Sequence, residues 1–519
     1  MAAMRPRGLL LGIAFVGCAL AAAVPLLLTY RLPMIDLPQH AAQITLWKFY
    51  GDPCYRFDRV VEQNWFTPYL LGYAITRLFA FILPVNGALK AVVFLAIVAL
   101  PLSMLSLTRR AGVDDWLALV GFPLAFGFSF YWGFLNFLAS IPLAIVFVAL
   151  AYDYMGRRTL VRGVLLTFIA ALLVISHALV FVGAAAAAGA MHLFLWRTPR
   201  QMIAAALPYV MPIPALLWWV HRMRSHEARV NIPPMWGLGS DRLLQFPSDL
   251  LSAAYERAAF FYAIALALIV VVCGVRFTRD ARRWMPAIVF GLMYFFLPQS
   301  VFGTAFVNQR FAVLCAATIP LALERRASLV RPSLVRPLIV IAAFGWLAIL
   351  SARFYRFGIE ADSFDRLVDH LPTNRGVLLL NAEPRSEFVG GPMYLHYSAY
   401  YQARKGGTIG WSFASNFPVL MHYRPGADPM TTPGLGWDPR LFRWNSPDSH
   451  FDYFVIRAPL DLGAPAFRRA SEPIILAGRW GMWWLYQRQR QPPIRPVCPP
   501  LVPDGDAARR PLLVSGTWP

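Results

Sequence analysis

Residues 8–30, GLLLGIAFVGCALAAAVPLLLTY, form an uninterrupted apolar stretch near the start of the chain. At a rise of 1.5 Å per residue, a helix of about 20 such residues crosses the ~30 Å hydrocarbon core of a bilayer. Similar blocks recur as far as residue 352, and 58% of the 519 residues are hydrophobic whereas only 14% are charged. Soluble domains carry about 25% charged residues. The composition excludes a disordered chain or a coiled coil and predicts a polytopic membrane protein.

Basic residues in the short loops predict the orientation of the spans. Arg5 and Arg7 precede the first block, which places the N-terminus in the cytoplasm because positively charged loops stay inside. A cleaved signal peptide is the alternative, but the apolar run is longer than a typical signal-peptide core. The apolar stretch 68–83 is interrupted by Arg77, and we interpret it as a helix on the membrane surface. With this interpretation, the arginine-rich loops all lie on the cytoplasmic side of the membrane. Eleven spans are predicted, at 8–30, 88–108, 113–131, 137–155, 161–177, 179–196, 202–220, 258–275, 284–302, 311–323 and 337–354.

The composition changes after residue 352, where polar residues interrupt the apolar blocks. The mixture of helix-like and strand-like patterns over roughly 130 residues predicts a small α/β domain outside the membrane. The tail is rich in proline and polar residues, which favours disorder. We predict helices at 362–370 and 393–404, and strands at 376–380, 408–413, 451–457 and 474–486.

The predicted fold class is therefore an α-helical polytopic membrane protein with a C-terminal extracytoplasmic α/β domain. Its predicted parts are a transmembrane bundle at 1–352, with a first outer loop at 31–87 that carries membrane-surface helices, the α/β domain at 353–490 and a disordered tail at 491–519.

Two further features of the composition bear on function. The net charge of +21 could attract nucleic acid, but many of the arginines lie in short loops where they would orient helices, so we predict no nucleic-acid partner.

The five cysteines form no Cys-x-x-Cys pair, and no zinc or redox motif is indicated. Cys54 and Cys498 would form a disulfide only if both lie outside the cytoplasm, and their spacing alone does not decide this.

The first predicted outer loop begins with RLPMIDLPQH at 31–40 and holds a lone acidic residue, Asp36, between Pro33 and Pro38. A carboxylate held against a membrane surface is partly desolvated, and desolvation makes it more basic, as a general base needs. Asp36 is equally placed to cap a helix over 39–49, because aspartate often precedes helices. On the sequence, both interpretations stay open.

The order of parts in this chain resembles a known class of membrane enzymes. One span, a loop opening with an acid, many further spans and an outer α/β domain are similar to the GT-C class of glycosyltransferases. Those enzymes transfer a sugar from a polyprenyl-phosphate carrier to an acceptor outside the cytoplasm. Further similar features are YWGFLN at 131–136, NQRF at 308–311 and the segment 394–407. The resemblance covers most of the chain as architecture but little of it as local motif.

The resemblance implies a role for Asp36 and a set of partners. Asp36 would be the catalytic base, at the periplasmic face of a bacterial inner membrane. The implied partners are a polyprenyl-phosphate-linked sugar donor, an envelope lipid, glycan or protein acceptor, and the bilayer. No adjacent acid pair or Asp-x-Asp accompanies Asp36, so the sequence indicates no metal site, no divalent cation and no other cofactor.

A lipid phosphate leaving group needs cations, and the planar guanidinium of arginine binds phosphate in a bidentate manner. Arg310 is the favoured phosphate binder because the turn before it holds almost no other charge. The alternative for each arginine is attraction to lipid headgroups, worth ~1 kcal/mol per charge. The other residues predicted to bind substrate or phosphate are Arg56, Arg59, His40, His177, Asn136, His396 and Tyr400.

Two other functions remain open on the sequence. A transporter or flippase of lipid-linked intermediates would need no catalytic base, but it would show charges at mid-membrane depth and internal repeats. The predicted spans are almost free of acidic residues and show no repeat. A non-catalytic membrane protein of envelope assembly, binding partners through its outer domain, is the third possibility.

Overall fold

A computed structural model shows a mostly helical chain with a mixed sheet near its C-terminus. The prediction of a helical membrane protein with a C-terminal α/β region is confirmed at this coarse level. The residues that the structure describes are 6–194, 198–226, 234–237, 240–253, 256–272, 274–301, 304–325, 332–416, 418–489 and 498–501.

The helices differ widely in length, from one turn to 39 residues. They are α1 (Pro6–Leu28), α2 (Leu37–Lys48), α3 (Phe57–Val60), α4 (Leu70–Phe79), α5 (Val85–Ala111), α6 (Gly121–Leu124), α7 (Phe128–Trp132), α8 (Leu135–Gly156), α9 (Leu160–Ser176), α10 (Ala178–Leu193), α11 (Pro199–Val210), α12 (Ile213–His226), α13 (Ser240–Asp249), α14 (Arg257–Val272), α15 (Met285–Phe296), α16 (Phe311–Thr318), α17 (Pro332–His370), α18 (Ser398–Lys405) and α19 (Gly463–Ala466).

The strands are short and most lie in the C-terminal third of the chain. They are β1 (Val61–Gln63), β2 (Val275–Phe277), β3 (Ser300–Val301), β4 (Thr304–Ala305), β5 (Leu323–Arg325), β6 (Gly376–Asn381), β7 (Thr408–Ile409), β8 (Met421–Tyr423), β9 (Tyr453–Arg457), β10 (Ile474–Trp480) and β11 (Trp483–Arg488).

Four helices of the described chain, α1, α5, α8 and α17, are long and apolar enough to cross a membrane. The pair α11 and α12 makes a fifth if the two helices, bent by 54°, count as one span. Large apolar side chains such as Leu20 and Leu27 are exposed along α1. A surface of this kind is unfavourable in water and favourable against lipid, so the structure is consistent with a membrane protein.

The count of eleven spans is not confirmed. Several predicted spans are apolar helices of only 10–17 residues, such as α9, α10 and α14. The predicted span 113–131 is not one helix, because a 3-10 helix (Asp115–Val120) is followed by the short helices α6 and α7. Pro123 and Gly127 lie at this break, and both residue types disfavour a continuous helix. Apolar composition alone did not reveal the interruption.

The chain divides into two compact units that do not follow the sequence in simple order. Unit 1 comprises Met1–Pro25, Phe66–Ile75 and Ala91–Leu350, and unit 2 comprises Leu26–Trp65, Thr76–Lys90 and Ser351–Pro519. Unit 2 therefore combines most of the predicted first outer loop with the C-terminal segment.

Unit 2 is built on a five-stranded sheet of order β10-β11-β9-β6-β7. The central strands β6 and β9 pair in parallel, β7 joins the other edge of β6 in parallel, and β10 and β11 are antiparallel. Every residue of β6 (GVLLLN) is buried, which is typical of a strand covered on both faces. The predicted strand 376–380 is confirmed, whereas the predicted strand 474–486 is a hairpin that turns at Gly481 (φ 59°).

Buried ion pairs connect distant segments inside unit 2. Arg31 Nη2 lies 2.7 Å from Asp365 Oδ1 in the C-terminal part of α17, and both side chains are almost fully buried. Arg404 of α18 lies 3.3 Å from the same carboxylate and 2.5 Å from Asp369. Because removing one partner of a buried pair leaves an uncompensated charge, these contacts fix the first loop against the C-terminal segment.

A disulfide between Cys54 and Cys498 joins the first loop to the end of unit 2. Tyr55 Oη donates to the carbonyl of Pro499, and Thr373 Oγ1 donates to that of Cys498. Within the predicted tail, residues 498–501 are described, and this bond and these contacts connect them to the rest of unit 2. The rest of the predicted tail, 491–497 and 502–519, lies outside the described residues.

Candidate active site

Helix α2 carries the acid of the first loop and is buried from Leu37 to Leu46. Gln39 and Gln43 lie four residues apart and therefore share one face of the helix. The Gln39 amide donates to the carbonyl of Trp411 and accepts from the Phe413 amide, and Gln43 pairs in the same way with both backbone groups of Met421. These side-chain amides fix the segment 411–421 against α2.

Asp36 occupies the position before α2, but its side chain makes no hydrogen bond that caps the helix. Its Oδ1 instead lies 3.4 Å from Nε2 of His396, and the side chains of the two residues are only 10% and 12% exposed. The His396 ring stacks on Trp411, with ring centroids 4.4 Å apart and planes inclined by 27°. Trp411 is 38% exposed. A buried carboxylate–imidazole pair therefore lies beside an accessible indole.

His396 is neutral at physiological pH. Burial lowers its pKa from 6.5 to about 3, because desolvation disfavours the charged imidazolium. A neutral imidazole can orient the Asp36 carboxylate without adding a positive charge that would weaken it as a base. The geometry would allow the Asp36 carboxylate to act as a base with the neutral His396 imidazole beside it.

The other predicted residues of unit 2 have different surroundings. His40 is buried, and its ring meets Phe413 edge-on at 5.4 Å. Arg56 and Arg59 lie on the exposed part of the loop, where Arg56 Nε is 3.6 Å from Asp58 Oδ1. The structure therefore gives these two arginines solvated positions in the first loop.

Tyr400, which the sequence analysis predicts to bind substrate, packs beside a buried ion pair. It is fully buried in α18, and its ring packs against the Arg31 guanidinium, 3.9 Å from the ring centroid. Tyrosines at helical spacing pack more often in a core than at an opening, and here the ring covers the buried ion pair of Arg31. Tyr400 therefore has a packing role among the described residues.

The predicted residues of unit 1 form a second cluster, centred on the buried Arg310. Its Nη1 lies 3.3 Å from Nε2 of His177, and its Nε and Nη2 donate to the carbonyls of Phe306 and Ala305. The guanidinium carbon lies 3.7 Å from the centroid of the Phe134 ring. A guanidinium can bind an anionic ligand such as phosphate through charge-assisted hydrogen bonds.

Asn136 also belongs to unit 1, and its neighbour in the sequence contacts His177 of this cluster. The next residue, Phe137, meets the His177 ring edge-on at 5.3 Å, as Tyr69 does at 5.5 Å. Within the described chain, Asn136 Oδ1 is buried without a hydrogen-bond partner. A Cβ on Gly72 would lie 2.2 Å from this oxygen, so a larger residue there would require the Asn136 amide to move. His177, Asn136 and Arg310 were thus predicted separately and lie in one unit, with His177 and Arg310 in direct contact.

Sequence reasoning missed Trp411 and the two glutamines of α2. The segment 408–413 was predicted as a strand, whereas only Thr408–Ile409 is a strand and the chain then turns toward α2. Glycines at 406, 407 and 410 just before Trp411 were the available signal for a turn that presents an aromatic ring. Among the described residues, no group of three or more His, Cys, Asp or Glu side chains could hold a metal ion.

No protein-family model and no curated protein matches this chain.

Proposed function

We propose that this protein is an integral membrane glycosyltransferase that moves a sugar from a polyprenyl-phosphate carrier to an envelope lipid, glycan or protein acceptor. The observation that carries the proposal is the Asp36 carboxylate, which turns away from its own helix toward the neutral His396 beside the exposed Trp411. The resemblance of the first loop and span order to the GT-C class supports the same conclusion.

In the proposed reaction, Asp36 accepts the proton of an acceptor hydroxyl as its oxygen attacks the anomeric carbon of the sugar. The bond from that carbon to the carrier phosphate breaks, and the phosphate leaves with the electron pair. His396 is a positioning residue that holds the carboxylate. The indole of Trp411 offers an apolar face against which a sugar ring can pack, as aromatic rings offer in many binding sites.

Arg310 is the proposed phosphate binder of unit 1. Its described contacts include the carbonyl oxygens of Phe306 and Ala305, the ring nitrogen of His177 and the aromatic face of Phe134. A charge-assisted hydrogen bond to phosphate is stronger than one to a neutral acceptor. We propose that the anionic carrier supplies this interaction.

The proposed localisation is a bacterial inner membrane with the N-terminus in the cytoplasm and the C-terminus in the periplasm. The Cys54–Cys498 disulfide supports an extracytoplasmic unit 2, because disulfides persist in oxidising compartments and are rare in the cytosol. In this proposal the shorter apolar helices, such as α9, α10 and α14, count among eleven crossings.

The test is sugar transfer by an Asp36→Asn variant. Loss of a general base costs 10²- to 10⁴-fold in rate, so we expect the variant to lose transfer while it keeps its expression and melting temperature. Mass spectrometry of envelope glycans from cells with the wild type, the variant or no protein measures the product. Asp58→Asn, at a half-buried acid in the same loop, is the matched control and should retain activity.

Two outcomes would contradict the proposal. Retained transfer in Asp36→Asn would remove Asp36 from its role. Unchanged glycans after deletion of the protein, combined with a lipid-linked intermediate that accumulates on the cytoplasmic side, would favour the flippase alternative.

A further inference from the structure

Lys48 and Arg77 form a pair of neighbouring cations in unit 2, which we call the basic pair. Lys48 is the last residue of α2, and its Nζ donates to the carbonyl of Ala80, just past the end of α4, at 2.9 Å. Burial lowers the pKa of Lys48, and the positive charge of Arg77 lowers it further. Lys48 contacts the carbonyl of Ala80 and Arg77 lies over the ring of the next residue, Phe81, so the two cations are neighbours.

Among the residues that the structure describes, no acid forms an ion pair with the basic pair. Within the described chain, neither Lys48 nor Arg77 forms an ion pair with a carboxylate, and Nη1 of Arg77 is buried without a hydrogen-bond partner. The guanidinium lies over the ring of Phe81, 4.2 Å from its centroid. Because a buried unpartnered N–H is costly and like charges repel, an anion bound here would relieve both penalties.

The surface beside the basic pair is apolar and aromatic. Leu78, Phe81 and Ile82 are 64%, 71% and 82% exposed, and Trp65, which meets Trp47 edge-on, is 53% exposed. Tryptophans and basic residues beside exposed apolar side chains are typical of the membrane–water interface. A soluble anion would leave this apolar surface in water, whereas a lipid would cover it.

We propose that the basic pair binds the phosphate of an anionic phospholipid at the membrane interface. The phosphate accepts from Arg77 and Lys48, and the acyl chains lie against Leu78, Phe81 and Ile82. Two cations without a nearby carboxylate favour a headgroup with a net negative charge over a zwitterionic one. This site does not depend on the proposed sugar transfer, since it requires no reaction.

The test uses the full-length protein in nanodiscs of phosphatidylcholine, with or without phosphatidylglycerol. Native mass spectrometry reports which lipids stay bound, and the melting temperature reports stabilisation. We expect the wild type to retain phosphatidylglycerol and to melt higher in its presence. With ~1 kcal/mol per charge, the double variant Lys48→Gln/Arg77→Gln should bind this lipid roughly 10- to 30-fold more weakly.

Two controls separate lipid binding from misfolding and from general charge. Arg468→Gln/Arg469→Gln removes two exposed positive charges from the same unit and should keep the wild-type preference. Lys48→Arg/Arg77→Lys keeps both charges and should retain the preference even if the neutral variant fails to fold.

Two results would overturn the proposal. One is an equal preference for phosphatidylglycerol in the folded neutral double variant and the wild type. The other is equal stabilisation of the wild type by millimolar glycerol phosphate, which would show that the acyl chains contribute nothing and that the site binds a soluble phosphate.

Discussion

The sequence allows two interpretations of Asp36, a helix cap and a catalytic base, and the geometry of its side chain distinguishes between them. Its position before α2 is that of a helix cap, yet its carboxylate makes no capping hydrogen bond and approaches His396. The acid was predictable from its place after the first apolar block. Its neighbours His396 and Trp411 were not predictable as a group, because they come from the other end of the chain and only the fold brings them to the first loop.

The neutral state of His396 predicts a pH dependence of stability. Its pKa is about 3 in the folded protein and 6.5 in the unfolded chain, so between these values the unfolded chain binds the additional proton. The free energy of unfolding therefore falls as pH decreases from 6.5 toward 3, by up to about 1.4 kcal/mol per pH unit from this group. At pH 7 the contribution of this histidine is nearly constant.

A His396→Gln variant tests this dependence, since glutamine keeps a polar group near Asp36 and does not titrate. Melting temperatures of both proteins in detergent from pH 7 to pH 4 are the measurement. The wild type should lose more stability on acidification than the variant. Parallel curves would contradict a buried neutral imidazole.

At the scale of elements, the sequence predicted where helices and strands occur better than how they end. The β10–β11 hairpin was predicted as one strand because apolar and aromatic residues run through both arms, and the turn depends on Gly481 alone. Likewise, the span at 113–131 is apolar throughout, although its backbone breaks near Pro123 and Gly127. In both cases the apolar composition continues through the interruption, and a few glycine or proline residues mark it.

The turn between α18 and β7 gives a prediction at this scale. Gly407 has a φ of +80°, and an added Cβ would lie 2.2 Å from the carbonyl oxygen of Arg375. Gly407→Ala combines an unfavourable backbone conformation with this clash, and we expect it to lower the free energy of unfolding by about 2–4 kcal/mol. Gly426→Ala is the control, because its φ is +81° and nothing lies within 4 Å of the added Cβ. Equal loss of thermal stability in both variants would argue against the close approach.

At the scale of the whole molecule, the predicted boundary near residue 353 falls inside one helix. α17 runs without a break from Pro332 to His370, so the predicted last span and the predicted amphipathic helix at 362–370 are continuous. The division into two units also assigns Leu26–Trp65 and Thr76–Lys90 to the C-terminal unit. A reading along the chain cannot reveal this grouping, because it depends on pairings such as Arg31 with Asp365.

The disulfide gives a prediction about the compartment of unit 2. If unit 2 lies outside the cytoplasm, Cys54 and Cys498 are oxidised in the native protein, and a maleimide reagent should modify them only after unfolding and reduction. A Cys54→Ser/Cys498→Ser variant should lose about 2–4 kcal/mol of stability. Gel-shift labelling of the unfolded protein with and without reductant, combined with thermal melting, measures both effects. Modification of these cysteines without prior reduction would place them in a reducing compartment.

The pairing of Arg31 with Asp365 also has a consequence for biosynthesis. A ribosome adds about 5–20 residues per second, so the first loop emerges tens of seconds before the residues that will cover α2. During that interval Leu37–Leu46, which the finished structure buries, lacks its contacts with α18 and the segment 411–421. Nascent chains that stop after residue 350 should therefore expose this helix to proteases and chaperones. The first loop can reach its native fold only after the C-terminal third of the chain has been synthesised.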